Sequence, residues 1–191
     1  MNRTTAEIAT RRYALVQRLL HWAVAALVVL ALGVGMTLGT LGPEGARDQF
    51  GTLAPDILYT GHKTAGILIL VLMVVRVMLR ALAGKPDYFR PLEPWQRALS
   101  NTVHTLLYLL LITMPVLGWL ATAAGDYPVS FFGVPLPGLI GVDEALSGRL
   151  FFWHAVVGWA ILLLACVHIA GAVYHWRWRR DGVMQRMSLF R

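Results

Sequence analysis

Cysteine is nearly missing from this sequence: Cys166 stands alone among 191 residues. A disulfide framework needs pairs, so none can form within the chain. A Cys-x-x-Cys-His attachment site for c-type haem is excluded for the same reason. Charge is scarce as well, at 14% of residues, with only ten Asp and Glu. Against 57% hydrophobic residues, that is too little charge for a disordered chain and the wrong balance for a soluble globule. The sequence also has no internal repeat, no Gly-rich phosphate loop, no Ser-His-Asp constellation and no polar stretch long enough for a separate soluble domain.

What it has in abundance is apolar length. Four runs can be read, at about 19–41, 62–82, 103–124 and 150–176, each near the ~20 residues that cross a hydrocarbon core as a helix. None shows the period of two that a membrane strand requires. The first run is too long, and too rich in Gly after its apolar start, for a cleaved signal, so it is expected to be retained. The expected fold is all-α: one integral membrane four-helix bundle over 1–191, with helices at approximately 15–41, 60–82, 96–124 and 148–178. The outer connection, 125–147, is aromatic, Pro-rich and amphipathic, and is expected to lie at the interface as a lid.

The seventeen Lys and Arg give a net charge of +7, which in a soluble protein would point to nucleic acid. Their positions say otherwise. Arg3, Arg11, Arg12 and Arg18 against Glu7 leave residues 1–22 at +3, and 42–63 carries −1. Arg76, Arg80, Lys85, Arg90 and Arg97 against Asp87 and Glu93 give +3, 125–149 carries −2, and the tail from Arg177 carries +4. The sign changes at every crossing, with +10 on one side and −3 on the other. The positive-inside rule then places both termini in the cytoplasm, and the basic balance needs no nucleic-acid partner.

Six histidines remain, and this topology gives each a depth. His21 lies near the inner end of the first helix, His62 at the outer start of the second, and His104 at the inner start of the third. The fourth helix carries His154 near its outer end, His168 near its inner end and His175 at the inner interface. Fourteen residues separate His154 from His168, which puts them within ~40° of one face and ~21 Å apart in depth. Each has a counterpart at its own level, His62 outside and His21 inside. Two facing histidines per level are what a six-coordinate haem needs, because the porphyrin supplies the other four nitrogens. A lone helical histidine is more often a hydrogen-bonded core residue, yet ionisable groups in a bilayer are costly, and four that pair by depth favour ligation. Gly66, Gly158 and Gly171, one turn beyond three of these histidines, would leave room for a flat macrocycle, although close helix packing explains them equally well.

The chain resembles the bacterial cytochrome b561 family. The resemblance rests on His21-Trp22, on HKTAG over 62–66, on MVVRVMLR over 73–80, on MPVLGW over 114–119, on FFWHAVVGW over 151–159, and on His168, His175 and the RRDGVMQRM tail, covering about 13–187. It implies a multi-pass protein of the bacterial inner membrane that holds two non-covalent b haems in bis-histidine ligation. The family pairing would be His21 with His168 and His62 with His154, in agreement with the depths. It also implies electron transfer between the ubiquinone pool and an outer reaction, similar to a superoxide oxidase that takes one electron from superoxide.

Other polar residues take secondary roles in this reading. Arg76 and Arg80 could hold haem propionates, since a buried carboxylate is best met by a guanidinium, with Arg80 the better candidate for simple snorkelling. Lys63 and His104 are the catalytic candidates. Lys63 could attract a small anion at the outer side, while His104, with Asn101 and Tyr108 on one stripe, could line a quinone pocket. His175, ~10 Å beyond His168, is expected to be interfacial or to touch a propionate. Trp119 and Trp159 could pack on porphyrin, and Pro115 should bend the third helix.

Three functions fit this inventory. The first is a self-standing dihaem enzyme carrying electrons between a small external donor such as superoxide and ubiquinone. The second is an anchor that relays electrons for a partner dehydrogenase or hydrogenase subunit, alone or as a homodimer. The third, a metal transporter, ranks last, because such proteins usually carry mid-membrane carboxylates and these four runs contain none.

Overall fold

A computed structural model describes residues 12–190 of the chain. The charges expected at Arg3, Glu7, Arg11 and Arg191 therefore lie outside the described residues. Four long helices follow one another: α1 (Leu15–Phe50), α2 (Ala54–Ala83), α3 (Pro94–Ala124) and α4 (Glu144–Tyr174). All four are long and apolar enough to cross a membrane. Their outward surfaces carry Val29, Leu30, Val71, Leu109, Trp159 and Leu163, each at least half exposed, as lipid contact requires.

The helix ends follow local chemistry. The helix of α1 breaks at Gly42, whose φ of 65° suits a residue without Cβ, and Pro43 follows with no N–H to continue the ladder. Residues 43–50 then add two turns that the apolar run did not announce, and the chain turns again at Gly51 with φ 97°. Pro55 and Pro94 occupy the first turns of α2 and α3, where a missing N–H costs nothing. These starts precede the expected 60 and 96, since a proline in the first turn does not mark the helix in an apolar pattern. Pro115 lies inside α3, which continues through it to Ala124. The Asp143 carboxylate accepts the Leu146 N–H at 2.9 Å and caps α4, so α4 starts before 148 and takes the last residues of the expected lid. At its other end α4 passes into a π-helical turn, His175–Arg179.

Packing is uneven. α1 lies against α2, α2 against α3 and α3 against α4, whereas α1 and α4 share almost no direct contact. Among the described residues the buried apolar cluster, Val24, Ile69 and Met73 with Leu27, Leu72, Tyr108 and Ile112 around them, belongs to α1, α2 and α3. Lipid is as apolar as leucine, so such contacts hold helices by close packing and not by the hydrophobic effect. α4 is attached through α3 on one side and presents its histidines on another.

Between α3 and α4 the chain folds into a small hairpin, β1 (Ser130–Phe131) against β2 (Val134–Pro135). The first and last described segments meet at the opposite end of the bundle. There the Tyr13 N–H donates to the Arg186 carbonyl at 3.2 Å and the Gln17 amide to the Leu79 carbonyl at 3.4 Å.

Candidate functional site

The structure brings four of the six histidines into two facing pairs. His62 on α2 and His154 on α4 have ring centroids 6.1 Å apart with planes inclined by 74°. His21 on α1 and His168 on α4 are also 6.1 Å apart, at 67°. A metal–imidazole bond of ~2 Å on each side, plus ~1 Å from the bound nitrogen to each ring centre, requires ~6 Å between centroids. The rings thus stand at the separation that a shared six-coordinate iron demands. Among the described residues no three or more His, Cys, Asp or Glu side chains converge as a metal site. A donor set of two imidazoles per level suits a metal that brings its own equatorial ligands, which is the case for haem.

The surroundings of each ring differ. His154 Nδ1 lies 3.1 Å from the Met114 carbonyl, which can only accept, so the proton sits on Nδ1 and Nε2 keeps its lone pair. Fixing a ligand's tautomer in this way is a common outer-shell device. His62 Nδ1 is buried with no hydrogen-bond partner among the described residues. At the His21–His168 pair, Arg76 Nη2 is 3.2 Å from His21 Nδ1 and its guanidinium stands 5.5 Å over the Tyr108 ring. A guanidinium only donates, so Nδ1 accepts in this contact.

Two glycines that the sequence reading passed over seat the His62–His154 pair. A Cβ on Gly35 of α1 would come within 2.9 Å of His62 Cε1, and one on Gly118 of α3 within 2.9 Å of His154 Cε1. Each ring rests on the backbone of the neighbouring helix. The glycines chosen from spacing behave differently: Gly66 and Gly171 have nothing within 4 Å, and Gly158 faces Met114 Cε at 3.2 Å in the α3–α4 contact. Spacing along one helix could not find Gly35 and Gly118, because their partners lie on another helix.

The secondary candidates disperse. His104 is exposed, its Nδ1 directed at the Ser100 carbonyl, and its ring stands 5.1 Å from that of His168. Asn101 takes a hydrogen bond from Lys85 at 3.2 Å and lines a shallow groove with Leu92 and Arg97, whereas Tyr108 joins the apolar cluster. Lys63 Nζ donates to the Pro128 carbonyl at 2.8 Å and so ties the hairpin segment to α2. Arg80 donates to the Tyr13 hydroxyl at 3.0 Å. His175 pairs with Asp181, Nδ1 to Oδ2 at 2.6 Å, an interaction with a tail residue that its depth alone did not foretell. Trp119 donates from Nε1 to the Pro137 carbonyl at 3.0 Å, a second tie on the outer segment, and Trp159 is 61% exposed on the outward surface.

Comparison with known proteins gives the family of the chain. The prokaryotic cytochrome b561 family profile matches residues 12–188. Cytochrome b561 homolog 2 of Escherichia coli is 29% identical over 180 residues, covering 92% of this chain and 90% of the relative. Cytochrome b562 of Cereibacter sphaeroides is 28% identical over 177 residues, covering 92% and 94%. A probable superoxide oxidase, CybB of Yersinia pestis, is 23% identical over 177 residues, covering 93% and 96%.

Proposed function

Since the chain belongs to the prokaryotic cytochrome b561 family, and so is a multi-pass inner-membrane cytochrome that binds b-type haem and transfers electrons, we propose that it carries them between superoxide outside and ubiquinone in the bilayer. Two haems would serve, one held by His62 and His154, the other by His21 and His168. The observation that carries this reading is the equal 6.1 Å spacing of the two pairs, each with one member on α4. The distribution of basic residues favours the end bearing the described termini as the cytoplasmic one. The His62 pair then faces outward and the His21 pair inward.

When bound, the haems supply the one-electron chemistry, because that chemistry belongs to the cofactor and not to the protein. The chain's own residues set its conditions. Met114 holds the proton on His154 Nδ1, and Gly35 and Gly118 admit the outer rings at close range. Arg76 fixes the His21 ring and brings the positive charge that a nearby carboxylate would meet. Lys63 and Trp119 hold the outer segment in place, which limits the approach of an external donor. His104, exposed near His168, offers Nε2 to a quinone oxygen at the inner end. In balance, two superoxide anions each lose an electron to become dioxygen, and one quinone gains two electrons and two protons to become quinol.

The test mixes the oxidised purified protein with superoxide, and separately the reduced protein with ubiquinone, while haem absorbance is followed. Reduction by superoxide and reoxidation by ubiquinone support the proposal. Inertness to superoxide in a protein whose haems ubiquinol still reduces would contradict it.

A further inference from the structure

α1 and α4 share almost no direct packing, yet the inner histidine pair spans them. At the inner end the C-terminal tail makes the connection. Trp22 Nε1 donates to the Met187 carbonyl at 2.9 Å, Arg18 Nη1 to the Ser188 carbonyl at 2.8 Å, and the Tyr13 N–H to the Arg186 carbonyl at 3.2 Å. On its other flank, the Arg186 guanidinium stands 5.3 Å over the Tyr13 ring and 4.2 Å over the Tyr88 ring, and it donates to the Pro86 carbonyl.

One residue organises the turn that directs the tail there. Asp181 is only 2% exposed. Its Oδ2 lies 2.6 Å from His175 Nδ1 and 3.4 Å from Arg179 Nε, and its Oδ1 accepts the Val183 N–H at 3.2 Å. Positive φ angles at Arg180 and Gly182, 50° and 83°, reverse the chain on either side of it. A buried carboxylate with these partners is held strongly, and stripping it of charge leaves those partners unmatched.

We propose that Asp181 and His175 are positioning residues: they lock the turn that hooks the tail onto α1 and so hold His21 opposite His168. The proposal rests on the reading of that pair as the inner haem ligands. Its lever is short, because Trp22 directly follows His21 and their rings are in edge contact at 5.4 Å between centroids. A slackened tail would move the ligand from one side only, altering the inner haem and leaving the outer one alone.

The experiment uses the full-length haem-loaded protein in detergent, as wild type, Asp181→Asn and Trp22→Phe. The low-spin electron paramagnetic resonance signal of each haem and its rate of loss to excess apomyoglobin are recorded. The inner haem is the one whose signal His21→Ala removes. The expected result for Asp181→Asn is a shifted inner signal and inner-haem loss about tenfold faster, the size set by one unmatched charged hydrogen bond, with the outer haem unchanged. Trp22→Phe, which keeps an aromatic ring but loses the indole N–H that reaches the Met187 carbonyl, should shift the same signal by less, and it decides the matter if Asp181→Asn does not assemble. An inner haem unchanged in both variants, or both haems altered alike, would overturn the proposal. Failure of the ligand reading itself looks different: His21→Ala would then keep both low-spin signals.

Discussion

Gly35 and Gly118 govern whether the outer rings can stand where they do, and their substitution separates contact from mere proximity. A Cβ at either position falls 2.9 Å from an imidazole carbon, and crowding of that kind costs ~1–3 kcal/mol in a packed site. Gly118→Val is therefore expected to lower haem content from about two per chain to about one, measured by pyridine haemochrome against protein. Gly148→Ala, at the start of α4 where nothing lies within 4 Å, should leave it unchanged. At the inner pair, Arg76→Gln removes the cation that bonds His21 Nδ1. The inner haem's midpoint potential should fall, since a nearby positive charge favours the reduced form, and redox titration reads the shift. The histidines were legible in the sequence because helical geometry turns a spacing of fourteen residues into one face and two depths. The glycines that seat them were not, since each acts on a ring carried by another helix.

The outer connection shows the same contrast between periodic and local signals. Its aromatic, Pro-rich composition marked it as an interfacial segment, but its hairpin and its two side-chain ties, Lys63 to Pro128 and Trp119 to Pro137, carry no sequence period. Each tie contributes ~1 kcal/mol. A Lys63→Ala, Trp119→Phe double variant is expected to speed haem reduction by a membrane-impermeant reductant several-fold in stopped-flow absorbance, and an unchanged rate would deny the segment a gating role. The start of α4 escaped the apolar pattern for a related reason. Asp143 caps a polar first turn, and Asp143→Ala should cost about 1 kcal/mol, seen as a lower thermal midpoint with unaltered haem spectra. Gly42 and Pro43, by contrast, do mark the end of the first apolar run in the sequence, where positive φ and a missing N–H leave the helix no straight continuation.

At the scale of the whole molecule, α4 is bound to the bundle through α3, through two histidine pairs and through the tail. The apolar cluster stops at α1, α2 and α3, so a bundle read from its runs as four equal helices is built as a cluster shared by three, with α4 packed mainly along α3. Hydropathy supplied the number of crossings and charge supplied their proposed sense, but neither tells which helices pack against which. The tail was legible only as part of a family motif, because Asp181 in a basic stretch reads as a solvated residue until its burial is seen. The most direct measurement of the account is haem stoichiometry with low-spin spectra across single ligand variants. The wild type should hold about two bis-histidine haems per chain, His62→Ala should lose one signal, and His21→Ala should lose the other. Wild-type protein without haem, or variants at His62 and His21 that lose the same signal, would contradict it.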